Sequence, residues 1–192
     1  MAKRLHYRPI PAGAIKIDLP NTFQLEGHTC GPAALMAIFA YYGVGPEEEW
    51  DLETIMKIDK TGTDPAHIVR AVKRYGLAFE EGRPMTVAQL CALLDRRRPV
   101  MIMVQAWGER DSYATWWSDG HWIVAIGHDR EGVYFEDPAL YRTRGFLSFD
   151  ELETRWHDIE GKQRRKVDHY GIAIWDPDAV GSAYRDRARR IE

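Results

Sequence analysis

The sequence predicts an α+β protein, with a helical first half and a strand-rich second half. Three observations carry this prediction. Up to about Arg98 the apolar residues recur at helical spacing between clear start and stop signals. Beyond it they collect in short runs of valine, isoleucine and aromatic residues, and a turn sequence, Asp129-Arg-Glu-Gly132, separates two of those runs. A cleft between two such halves is a natural place for a site.

The first 20 residues contain Pro9, Pro11 and Pro20, with Ile15, Ile17 and Leu19 alternating with polar neighbours, and predict an extended arm ending in a short strand. Residues 30–42 have hardly a polar position, the pattern of a helix buried on most sides, and Gly43 is its C-terminal cap. A second helix is predicted from Pro46 through Ile58, opening on Glu47, Glu48 and Glu49, whose charges suit a helix N-terminus. Asp64-Pro65 opens a third, with Ile68, Val69, Val72 and Tyr75 on one face and Gly76 as its stop. After a short strand near 77–80, Thr86 and Gln89 form a capping box for a fourth helix carrying Leu90, Leu93 and Leu94. The predicted strands of the second half are Val100 to Trp107, His121 to Ile126, Val133 to Phe135 and Tyr170 to Trp175. Ser148 and Glu151 make another capping box, starting a short helix through about Trp156.

At 192 residues the chain reads as one domain, 1–192, with the extended arm (1–20) and a basic tail (about 180–192) at its ends. A net charge of −3 argues against nucleic acid as partner, and the local basic clusters, 162–166 and 185–190, read as solvated segments. Two cysteines do not make a disulfide framework, and Met-Ala-Lys-Arg is not followed by the apolar stretch of a secretory signal, so the expected compartment is the cytoplasm. The longest apolar run, within Pro32 to Tyr42, is about half the roughly 20 residues a membrane span needs. No membrane association is expected.

Cys30 is placed where a loop turns into the buried helix, in Gln24-Leu-Glu-Gly-His-Thr-Cys30-Gly-Pro-Ala. The N–H groups and dipole at a helix N-terminus favour an anion, which suits a nucleophilic thiol. Pro32 fits a first helical turn, and Gly31 lets a substrate backbone approach the sulfur. Cysteine chemistry also needs a base, a group that orients the base, and donors for the oxyanion. His121 opens a strand in Gly-His-Trp-Ile-Val-Ala-Ile-Gly, and Asp137 ends the next in Tyr-Phe-Glu-Asp-Pro. Both are equally distant from residue 129, so a simple hairpin register sets them roughly opposite each other. Gln24, six positions before Cys30, is placed to donate to an oxyanion together with the Cys30 backbone N–H.

Taken together, Gln-x5-Cys-Gly-Pro-Ala, then Gly-His-Trp-Ile-Val-Ala-Ile, then a hairpin ending in Asp-Pro, resemble the C39 and C39-like branch of the papain-like cysteine peptidases, over about Gln24 to Trp175. The resemblance implies a papain-like fold and a peptide or amide substrate, a leader-type peptide among the candidates. It also implies that Cys30 is the nucleophile, His121 its base, Asp137 the orienting group and Gln24 the oxyanion donor, with no cofactor and no metal. Bacteriocin-maturing members are fused to a membrane transporter and cut after two glycines, whereas no membrane part is predicted here. Many relatives have Asp before the nucleophile, where this chain has Thr29 preceded by His28. The same four residues also serve an acyltransferase or transpeptidase, or a non-catalytic peptide-binding module that kept the fold.

Other residues have plainer readings. His28 shares a turn with Cys30 and is expected to point elsewhere. His128 and Asp129 read as solvated, and Cys91 as a core residue among Leu90, Ala92 and Leu93. The spacing lacks paired zinc ligands. Trp107, Tyr113, Trp116 and Trp117 are either a substrate wall or ordinary packing, and Trp122 either shields the His–Asp pair or packs on the opposite face.

Overall fold

The computed structural model of the chain describes residues 7–107 and 112–179. The basic tail, the first six residues of the arm and positions 108–111 of the tryptophan-rich loop lie outside the described residues. The first half holds α1 (Cys30–Tyr42), α2 (Glu49–Met56), α3 (Pro65–Arg74), β1 (Ala78–Gly82) and α4 (Val87–Asp95). The second half holds β2 (Val100–Gln105), β3 (Gly120–His128), β4 (Gly132–Glu136), β5 (Gly145–Ser148), α5 (Phe149–Arg155), β6 (His157–Glu160), β7 (Arg165–Asp168) and β8 (Gly171–Trp175). Six strands form one antiparallel sheet in the order β1-β8-β2-β3-β4-β5, and β6 and β7 form a separate hairpin.

α1 packs against β3, which places the helix start beside the strand start. Its residues Ala33, Ala34, Leu35, Ala37, Ile38 and Phe39 are all buried, as its unbroken apolar sequence requires. Gly43 ends it in the left-handed region at φ 71°, where its N–H and that of Val44 satisfy the last carbonyls. The capping boxes at Thr86 and Ser148 form as their sequences predict.

Several boundaries differ from expectation. The second helix begins at Glu49, because Pro46 to Glu48 remain outside the helical turn. The arm makes a single bridge, Ile15 to Gly127, rather than a strand, although Ile17 and Leu19 are fully buried. Strand β5 and the β6–β7 hairpin have short, mixed sequences that gave no signal. Cys91 is half-buried rather than core, with burial raising its thiol pKa ahead of the Asp95 charge. His128 bonds Asp95 at 3.1 Å, and Asp129 caps its own turn and pairs with Arg8, so neither is simply solvated. Among the described residues no helix is long and apolar enough to cross a membrane.

Candidate active site

Cys30 opens α1 and is buried. Thr29 precedes it at the capping position but does not cap. Its hydroxyl spends itself on the Glu26 backbone, donating to the carbonyl and accepting from the N–H, each at 3.1 Å. Among the described residues no side chain caps the N–H groups of the first helical turn at this end. The same loop is pinned from α2, where the buried Glu49 carboxylate accepts from the Leu25 N–H at 3.3 Å and His28 pairs with Glu53 at 3.9 Å. His28 is thus engaged with α2. Burial raises the Glu49 pKa, against the pull of the nearby Thr29 hydroxyl and of the bond from the Leu25 N–H.

His121 is the second residue of β3 and almost fully buried. Its Nε2 donates to Asp137 Oδ1 at 2.7 Å. Its Nδ1 is buried with no hydrogen-bond partner of any kind among the described residues. The Cys30 thiol also acts on the ring, in the same direction as Asp137. Burial pulls the His121 pKa down, but Asp137 and Cys30 outweigh it and lift the ring to about 9. Both partners thus favour the protonated ring, with one N–H on a carboxylate.

The route by which Asp137 meets His121 differs from the simple hairpin. The turn is centred between Arg130 and Glu131, with His128 opposite Val133. Continued unbroken, that register would set Asp137 across from Val124, on the face away from His121. A β-bulge between Ala125 and Gly127 shifts the pairing so that Val124 meets Glu136. Asp137 then falls beside Ile123, on the same face as His121 and diagonal to it. The expected straight-across placement is corrected to a diagonal one created by the bulge.

The arm holds that bulge. The Ile126 carbonyl accepts from the N–H groups of both Lys16 and Ile17, at 3.0 and 2.9 Å. Gly127 permits the crossing, because a Cβ there would lie 2.0 Å from the Ala14 carbonyl oxygen. Further along, the Glu136 side chain, fully buried, accepts from Asn21 Nδ2 at 2.7 Å and the Thr22 N–H at 2.9 Å, and pairs with Arg144. The Gln24 N–H then donates to the Pro138 carbonyl at 3.0 Å. The loop bearing Gln24 and the strand end bearing Asp137 are thereby joined. A charged residue ending an apolar strand, and a glycine within one, were the sequence signals for Glu136 and Gly127.

Gln24 donates from Nε2 to the Glu26 carbonyl at 2.9 Å, while its Oε1 is buried with no partner among the described residues. On the other side of the site the half-exposed Trp107 lies against the His121 ring, centroids 4.9 Å apart. Trp117 packs on His157 and Trp116 donates to Asp119, so these two are engaged in packing. Trp122 is buried, donates to the Thr63 carbonyl at 2.7 Å and meets Tyr170 edge-on. Thr63 lies against Gly31, where a Cβ would be 2.5 Å from the threonine side chain, so the glycine makes room for Thr63 and not, as expected, for a substrate backbone. Among the described residues no three His, Cys, Asp or Glu side chains are grouped to hold a metal.

The fold is papain-like α+β, with a thiol at a helix start beside an imidazole–carboxylate pair on the adjoining sheet. Residues 16–163 match the Peptidase_C39 like family, and the chain belongs to that family. Among solved structures, it is similar to the peptidase domain of Streptococcus ComA, a bi-functional ABC transporter involved in quorum sensing. The identity is 20%, covering 81% of this chain and 96% of that one, with a TM-score of 0.59. It is likewise similar to a Bacillus anthracis protein classed with the C39-like peptidases (17%, covering 84% and 96%, TM-score 0.62). A third is a double glycine motif protease from an AMS/PCAT transporter, in complex with its leader peptide (17%, covering 86% and 96%, TM-score 0.59). No curated protein sequence matches the chain.

Proposed function

We propose that the chain is a cysteine peptidase or amide hydrolase that works through an acyl-enzyme on Cys30. The observation that carries this reading is the His121 ring, bonded to Asp137 through Nε2 and acted on in the same direction by the Cys30 thiol. Transfer of the thiol proton to the ring, which Asp137 orients, frees the sulfur to attack. Attack forms the S–C bond and places negative charge on the carbonyl oxygen. Uncapped N–H groups at the start of α1 support that charge, with Gln24, whose Nε2 carries two hydrogens of which Glu26 takes one. Collapse breaks the C–N bond as His121 gives its proton to the leaving amine. The neutral ring then takes a proton from water, which attacks the thioester, releases the acid and restores the pair. Asp137 keeps the ring oriented throughout.

Family membership and the leader peptide held by the double glycine motif protease make peptides the first substrates to test. A peptide library digested by wild type and by Cys30→Ala, read by mass spectrometry, tests the reading. Cleavages unique to wild type are expected, and they report the preference directly. No cleavage by wild type, or equal cleavage by Cys30→Ala, overturns it.

A further inference from the structure

The β6–β7 hairpin brings a second carboxyl group to the sheet side of the site. Gln105, at the end of β2 and fully buried, donates from Nε2 to the His157 carbonyl and to Asp158 Oδ1, each at 3.1 Å, and accepts from the Asp119 N–H at 3.1 Å. Asp158 is thereby held on the backbone of Gly120, the residue before His121. A Cβ on Gly120 would lie 2.2 Å from Asp158 Oδ2, so only glycine leaves room for the carboxyl group there. Burial lifts the Asp158 pKa to about 6, against the bonds from the Ile159 N–H and Gln105 and the charges of His121 and Arg164. Among the described residues no cation lies within ion-pair distance of it. This half-buried carboxyl group therefore sits over the exposed Gly120, beside the reacting pair, with the charges of His121 and Arg164 acting on it but no ion-pair contact of its own among the described residues.

We propose that Asp158, held on Gly120 beside His121, is the docking point for a cationic group of the substrate, supplied by a residue flanking the bond to be cut. This inference rests on the peptidase reading and adds a substrate class to it. A charge-assisted hydrogen bond to such a group gives about tenfold or more in affinity.

The test uses one family of acetylated peptides in which each position near the cleavage site carries lysine, arginine or the neutral isostere norleucine. A parallel set with a free N-terminus separates a side-chain cation from a terminal ammonium group. Wild type is expected to favour the cationic peptide at one position by about tenfold or more in kcat/KM, and Asp158→Asn to bring that ratio close to one. Asp158→Lys is expected to turn the preference toward glutamate at the same position. Binding of the uncleaved peptides to Cys30→Ala protein, by calorimetry, gives the same ratio without turnover. Absence of turnover alone therefore condemns the peptidase reading and leaves binding to decide this one. Equal handling of lysine and norleucine by wild type overturns the proposal without recourse to any variant. So does an Asp158→Asn loss that is uniform across all peptides, which would mark the residue as support for His121.

Discussion

The start of α1 and the β3–β4 hairpin supply the two halves of the site by different physical means. Cys30 is placed locally: the loop, the glycine, the proline and the apolar helix that follow it are contiguous in the chain. The pairing of His121 with Asp137 is placed non-locally. It needs a bulge at Ile126, an arm more than 100 residues away to take the freed carbonyl, and the buried Glu136 to join that arm to the strand end. The thiol thus depends on one helix start and a loop pinned from the neighbouring α2, whereas the imidazole–carboxylate pair depends on a register that several segments must agree on.

The comparison breaks most severely at the imidazole. His121→Ala, which leaves α1 untouched, is expected to lower kcat/KM on a cleaved peptide by about 10²- to 10⁴-fold, measured by steady-state kinetics. Asp137→Asn keeps the shape but removes the charge that lifts the ring. The alkaline limb of the kcat/KM profile, expected near pH 9 in wild type, should move to lower pH in this variant. Stability follows the same sign. The folded pKa of His121 lies above its unfolded value of about 6.5, so its contribution is full below that pH and lost as pH rises through 9. Denaturant unfolding should therefore show a larger penalty for Asp137→Asn at pH 6 than at pH 9.5. The smallest effect is expected at the crossing of the arm. Gly127→Ala sets a methyl against the Ala14 carbonyl and should cost about 1–3 kcal/mol of stability by urea unfolding.

The same division decides what could be read from the sequence. Helix ends that carry a cap were legible, because caps and apolar periodicity act over three or four residues: Thr86 with Gln89, Ser148 with Glu151, and Gly43 all do what their neighbours predict, whereas the start of α2, with no such cap, was placed three residues early. All four candidate residues were named from motif and order, and His121 and Asp137 do meet. How they meet was not legible, since one bulged residue reverses which face Asp137 shares and nothing local announces its effect. Asp158 was missed for a related reason. Its position depends on a short hairpin docking against Gln105, a contact between residues 53 apart in sequence.

The most direct test of the account is the rate at which Cys30 is alkylated by iodoacetamide between pH 5 and 10, in wild type and in His121→Ala. The account predicts fast modification of wild type already at pH 6, where an ordinary thiol of pKa about 8.5 is nearly inert, and loss of that neutral-pH reactivity in His121→Ala. A wild-type profile that rises only near pH 8.5 and coincides with that of the variant would contradict it.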